Sequence, residues 1–161
     1  MKISIIGSGS WGTTLAILLA EKGSDVKLWC RREELAREIE SKRENMQYLP
    51  GVKIPNNLIV DNSLKNVLQN TKIIFNVVPS EFVRSTLKNI KPYYDNQIVI
   101  SATKGMEHAT SKRMSQVIED ELETSKITVL SGPTHAEEVS RKMPTASVVA
   151  SNDKNASKIV A

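Results

Sequence analysis

Gly7, Gly9 and Gly12 stand in the spacing G-x-G-x-x-G, between an apolar run at Ile3–Ile6 and a helical-period segment carrying Leu15, Leu18 and Leu19. The spacing alone says little; the context gives it meaning. Strand, glycine turn and helix within a βαβ unit of about 30 residues make a turn that backs onto a diphosphate. Gly7 permits the tight turn, Gly9 lets a phosphate approach the backbone, and Gly12 lets the helix lie close on the strand. Free N–H groups at the helix start, with the positive end of its dipole, favour the anion. Ser10 and Trp11 are the intervening residues. Their backbone N–H groups face the phosphates, and the Trp11 indole either covers an edge of the bound molecule or packs on a neighbouring domain.

The second strand supplies the next chemistry. It ends Leu28-Trp29-Cys30-Arg31-Arg32, with two arginines where an NAD site usually carries an acid for the ribose 2′-hydroxyl. Guanidinium groups pair with a phosphate dianion, so Arg31 and Arg32 favour the 2′-phosphate of NADP(H), with NAD(H) left as an alternative. The plain alternative is a pair of solvated arginines bonded to Glu33 or Glu34. Cys30 reads as a small buried filler.

Three later segments end strands and should converge on the same crevice, beyond the carboxyl ends of the sheet. The first is Asn76–Ser80, where Pro79 stops the ladder and Phe82 follows. The second is Ser101–Glu107, which puts Lys104 on a turn as a cation for a phosphate or a carbonyl. The third is Ser131–Val139. There Thr134 has the spacing of an N-cap in a capping box with Glu137, and Gly132 and Thr134 are candidates to touch substrate. His135 is left without a catalytic role, because a lone histidine is more often structural.

Alternating elements must position these groups. Strands are expected at Ile3–Ile6, Val26–Cys30, Ile73–Val78, Ile98–Ser101, Ile127–Ser131 and Ala146–Ala150, rich in Ile and Val and poor in polar alternation, as in a buried parallel sheet. Helices are expected from the glycine turn to Gly23, over Glu33–Lys42, from a Ser63 cap through Gln69, over Glu81–Asn89 and Ser111–Leu122, and again from Asp153 to Ala161. Arg43–Asn57, with Pro50, Gly51 and Pro55, is expected to be a loop. The pattern implies an α/β fold, a doubly wound, mostly parallel sheet.

Composition narrows the function classes. The 161 residues fit one domain, and 40% hydrophobic with 25% charged residues is ordinary for a globular chain. No run is long enough for a membrane span, and the short run after Met1 is no signal segment, so a cytoplasmic protein is expected. One cysteine and two scattered histidines offer neither a disulfide nor metal-ligand spacing. The net charge of +4 is dispersed, which argues against a nucleic-acid partner and suits a small phosphorylated ligand. The chain stops in an apolar helical pattern at Ile159–Ala161 without a cap, so it is expected to be a truncated piece.

Gly7–Gly12, Leu28–Arg32, Asn45–Gly51, Val77–Phe82, Thr103–Glu107 and Ser131–Val139 together resemble, in order and over nearly the whole chain, the bacterial-type NAD(P)-dependent sn-glycerol-3-phosphate dehydrogenase family. The resemblance implies a Rossmann-type N-terminal dinucleotide-binding domain spanning residues 1–161. It implies reversible reduction of dihydroxyacetone phosphate to sn-glycerol 3-phosphate, a feed into phospholipid synthesis. It carries cofactor contacts onto Ser10, Trp11, Arg31, Arg32, Tyr48, Lys104 and Ala136, and substrate contacts onto Lys104, Gly132 and Thr134. It also implies a second, helical domain that supplies the acid/base lysine and the hold on the substrate phosphate, so no catalytic residue is expected here and the piece should be inactive alone. The full-length protein would be compatible with a homodimer. Two other readings stay open: a 3-hydroxyacid dehydrogenase or ketopantoate reductase, and an NADP(H)-sensing module without chemistry.

Overall fold

The computed structural model describes residues 1–160, apart from the side chain of Asn155. Strand β1 (Lys2–Ile6) leads through the glycine turn to α1 (Ser10–Glu21), then β2 (Asp25–Trp29) and α2 (Glu33–Lys42). A small hairpin follows, β3 (Glu44–Asn45) and β4 (Leu49–Lys53), and then β5 (Leu58–Asp61), α3 (Leu64–Leu68), β6 (Ile73–Asn76) and α4 (Ser80–Ile90). The remainder is β7 (Ile98–Ser101), α5 (Met114–Leu122), β8 (Ile127–Ser131), α6 (Ala136–Ser140), β9 (Val148–Ser151) and α7 (Lys154–Val160).

The main sheet has the order β5-β2-β1-β6-β7-β8-β9. Every pairing is parallel except β8 with β9. The chain winds outward from β1 in one direction, through β2 to β5, and then crosses to β6 and winds the other way. The order therefore reverses between β1 and β6, which is where open α/β sheets bind ligands.

Isoleucine and valine make these strands because they are buried on both faces. Ile3 and Ile5 face a core with α1 and α2, while Ile6 faces a second core with α3, α4 and α5. On that second side Val83, Leu87 and Ile90 form the stripe of α4, and Met114, Val117, Ile118 and Leu122 that of α5. Helix α1 is buried nearly all round, since α6 also packs on it. Its chain turns at Gly23, whose φ of +85° suits glycine.

The structure corrects the expectations in several places. Arg43–Asn57 is no plain loop. It holds the β3–β4 hairpin, in which the Glu44 carboxylate accepts from the Gly51 amide at 2.9 Å and pairs with Lys53 at 3.2 Å. Strand β5 was not anticipated at all. Helix α5 begins at Met114 rather than Ser111, because Ser111–Arg113 returns against Met106 and Glu107. Thr134 is not the cap of α6: the helix starts one residue later, with His135 as N-cap and no side-chain cap bond. That shift moves Glu137 out of capping-box register. The last expected helix is present as α7, and Ala161 lies outside the described residues.

Arg84 of α4 ties three acidic residues together. It forms a two-pronged pair with Glu107 at 2.7 and 2.8 Å and reaches Glu121 at 2.6 Å and Asp120 at 3.2 Å. The guanidinium, with the Thr110 hydroxyl, lowers the Glu107 carboxyl to about 2 from the ordinary 4.5. Asp120 and Glu123 are lowered in the same sense, chiefly by Lys112 and Lys91 respectively. A depressed carboxyl stabilises the fold above its unfolded value, and that contribution is lost as the pH falls toward the folded value. The melting temperature is therefore expected to drop between about pH 4.5 and pH 2. Arg84→Leu is expected to flatten this drop and to lower stability near neutral pH by about 2 kcal/mol. Thermal melts of both proteins across that window check it.

Candidate functional site

Helix α1 opens without a capping side chain. Its N-cap is Gly9, which has no side chain to accept from the first-turn amides, and no acidic residue stands in the first turn. The orphan N–H groups and the positive helix end therefore face outward without compensation. Each glycine has its own reason. A Cβ on Gly12 would overlap the Gly7 carbonyl oxygen, and one on Gly7 would lie 3.0 Å from the Val77 carbonyl group. A Cβ on Gly9 would meet nothing within 4 Å. The fold thus demands Gly7 and Gly12, whereas Gly9 keeps open a space that none of the described residues fills.

That space belongs to a cleft of about 700 Å³ running across the carboxyl ends of β1, β2, β6 and β7. It is within the roughly 300–1,000 Å³ typical of small-molecule sites. Gly7, Gly9, Ser10, Trp11 and Gly12 line its middle. Arg31, Arg32 and Tyr48 line one end with Phe82, and Lys104, Thr134 and Ala136 line another part. Of the residues expected to contact cofactor or substrate, Gly132 alone stands off the cleft lining. Its φ is +145°, and a Cβ there would lie 2.8 Å from the Ala146 carbonyl oxygen, so packing accounts for the glycine.

The arginines are held by neutral groups. Arg31 stacks over the Phe82 ring, 5.6 Å from its centroid. Arg32 donates to the Gln47 side-chain carbonyl and, at 3.5 Å, to the Tyr48 hydroxyl. Glu33 instead pairs with Arg37, so the two cations carry no carboxylate partner among the described residues. Cys30 is buried behind them, its thiol 3.4 Å from the Arg32 carbonyl oxygen.

On the other wall the Lys104 ammonium donates to the Thr134 carbonyl at 2.6 Å, joining the turns after β7 and β8. The Thr14 hydroxyl of α1 donates to the Ala136 carbonyl at 3.2 Å. Thr134 and Ala136 are buried. His135, set aside in the sequence, lines the cleft between them.

Motif spacing does not point to the other participants. Ser85, Thr86 and Asn89 of α4 extend the lining past Phe82. Only the helical period after Phe82 hints at them, since i+3, i+4 and i+7 share a face. Gln47 and Asn45 fall within the Asn45–Gly51 segment of the resemblance, in the stretch expected to be a loop, and no spacing rule gives either a role. Among the described residues no group of His, Cys, Asp and Glu is placed to hold a metal. No helix among them is long and apolar enough to cross a membrane.

Comparison with known proteins adds the family. Residues 2–157 match the family described as NAD-dependent glycerol-3-phosphate dehydrogenase N-terminus. The chain is 46% identical to a glycerol-3-phosphate dehydrogenase (NAD(P)+) of Chlorobium phaeobacteroides (strain BS1), over 94% of this chain and 47% of that protein. It superposes on the glycerol-3-phosphate dehydrogenase of Coxiella burnetii with a TM-score of 0.92 at 35% identity, over 98% of this chain and 49% of the other. For the Saccharomyces cerevisiae enzyme the values are 0.85 and 30%, over 94% and 47%. The chain spans about half the length of the curated relatives it matches. A glycine turn that opens an uncapped helix, a doubly wound sheet and a match over residues 2–157 agree, and the chain belongs to the NAD-dependent glycerol-3-phosphate dehydrogenase family, matching its N-terminal part.

Proposed function

We propose that the cleft binds a nicotinamide dinucleotide, NADP(H) in preference to NAD(H). We propose further that the chain is the dinucleotide-binding domain of an oxidoreductase interconverting dihydroxyacetone phosphate and sn-glycerol 3-phosphate. The observation that carries this reading is the opening of α1: Gly9 caps it without a side chain, beside open space that lines the cleft. Uncompensated amides of this kind suit a diphosphate. Arg31 and Arg32, with neutral partners only among the described residues, suit a further phosphate at the adenosine end. The names of the relatives support nicotinamide use without separating the two cofactors.

The bound nicotinamide would supply the hydride. The residues of this chain bind and orient. Gly7, Gly9, Ser10, Trp11 and Gly12 hold the diphosphate region, with Arg31, Arg32 and Tyr48 at the adenosine end. Lys104 and Ala136 flank the nicotinamide side. Lys104 and Thr134 face the substrate, with Gly132 behind them shaping the turn. Reduction of the carbonyl also needs a proton at its oxygen. The Lys104 ammonium uses one of its three N–H groups on the Thr134 carbonyl, and we assign it the polarising of the substrate oxygen, with the proton donor in the family's second domain.

Trp11 and Trp29, the two tryptophans of the sequence, both line the cleft, so their fluorescence reports binding directly. Titration with NADPH is expected to give saturable quenching, tighter than with NADH. NADPH with dihydroxyacetone phosphate is expected to show no turnover by this chain alone. A titration without saturation for either dinucleotide overturns the binding reading, and turnover at the rate of an ordinary dehydrogenase overturns the assignment of the proton donor elsewhere.

A further inference from the structure

Asn45 is fully buried, yet it sits on a hairpin at the surface of the molecule. Its amide nitrogen donates to the Ser8 carbonyl at 2.8 Å and to the Thr13 hydroxyl at 2.9 Å. Its side-chain oxygen accepts from the Tyr48 amide at 3.2 Å. The Thr13 hydroxyl in turn donates to the Ser8 carbonyl at 3.3 Å. One side chain thereby joins the glycine turn, the first turn of α1 and the hairpin that holds Arg32 through Gln47 and Tyr48.

We infer that Asn45 is a positioning residue for the diphosphate-binding turn, a step that rests on the dinucleotide reading above. The Ser8–Gly9 peptide is trans, so its C=O and N–H point in opposite directions. Asn45 and Thr13 draw the Ser8 carbonyl inward, away from the cleft. The Gly9 N–H is turned outward by the same constraint, and no group among the described residues accepts from it. Gly9 lines the cleft, so this N–H is aimed at whatever anion lies there. Without the Asn45 donor the part-buried Ser8 carbonyl keeps only the longer bond from Thr13 at 3.3 Å, and the peptide is held less firmly against turning its oxygen toward the cleft. An oxygen in that place repels a phosphate.

The test uses two variants. Asn45→Asp keeps the acceptor for Tyr48 and removes both donors. Asn45→Ser is neutral and too short to reach the Ser8 carbonyl, and it decides the matter if the buried carboxylate prevents folding. Each folded variant is titrated with NADPH and NADH through tryptophan fluorescence, and the Gly9 amide is followed by nitrogen-proton correlation spectra. Both dinucleotides share the diphosphate, so both affinities are expected to fall alike, by about tenfold or more. The Gly9 amide is expected to shift on NADH addition in the parent and much less in the variants. A cooperatively melting variant that binds both dinucleotides like the parent, with the same Gly9 shift, overturns the inference and leaves the dinucleotide reading intact. So does a loss confined to NADPH. A parent that binds neither dinucleotide sinks both.

Discussion

Gly9→Ala is expected to leave the protein folded and to weaken dinucleotide binding by about a hundredfold. The backbone at Gly9 has φ −68° and ψ −179°, which alanine adopts without strain, and its Cβ meets nothing within 4 Å. Stability should therefore stay within about 1 kcal/mol of the parent. The added methyl points into the cleft beside the orphan amides, where it displaces a phosphate from the backbone. Gly12→Ala is the counterpart. Its methyl has to occupy the place of the Gly7 carbonyl oxygen, so α1 must move off β1. A loss of about 3 kcal/mol or more is expected before binding is even considered. Urea unfolding and NADPH titration of both variants give a two-by-two result. If Gly9→Ala binds like the parent, the turn does not carry the diphosphate.

The second large effect belongs to the arginine pair. Arg31→Ala combined with Arg32→Ala is expected to lower NADPH affinity by about a hundredfold, as two charge-assisted contacts to the 2′-phosphate are lost. NADH lacks that phosphate, and its affinity should change by about threefold or less, mostly through the stack on Phe82. The parent should also lose NADPH affinity with added salt more steeply than NADH affinity, and the double variant should not. Equal losses for both dinucleotides would mean that the arginines serve the adenine, or only the shape of the cleft, and the NADP(H) preference would fall. Tyr48 and Gln47 matter to this outcome because they hold Arg32 without neutralising it.

The parts of the molecule that follow from local rules were legible in the sequence. Residues Glu33–Lys42 form a helix with the anticipated bounds, because Leu35, Ala36 and Ile39 make a short, clean stripe. The glycine turn was legible because part of its reason is local: Gly7 has a φ of +119°, and Gly12 is fixed by Gly7, five residues away. The β3–β4 hairpin was not. Pro50 and Gly51 are ordinary loop residues, and beside the Glu44 bonds within it the hairpin is fastened by long-range bonds from Asn45 to Ser8 and Thr13. Strand β5 escaped for a related reason. Its four residues alternate buried and exposed beside Pro55, and only pairing with β2 makes them a strand. At the site the sequence named residues at strand tips, where the topology gathers them. It could not name Arg84, whose bonds to Glu107 and Glu121 span 23 and 37 positions. Nor could it tell that Thr134 presents its backbone carbonyl to Lys104 rather than capping α6.

The wall formed by Thr134, His135 and Ala136 is fastened from two directions, by the Lys104 ammonium at one end and the Thr14 hydroxyl at the other. A three-residue stretch anchored at both ends has few shapes left to choose from. Whatever settles against it meets a surface whose disorder was already removed when the chain folded, and little more has to be surrendered at the moment of contact. That side of the cleft is held in the shape it presents by these two bonds.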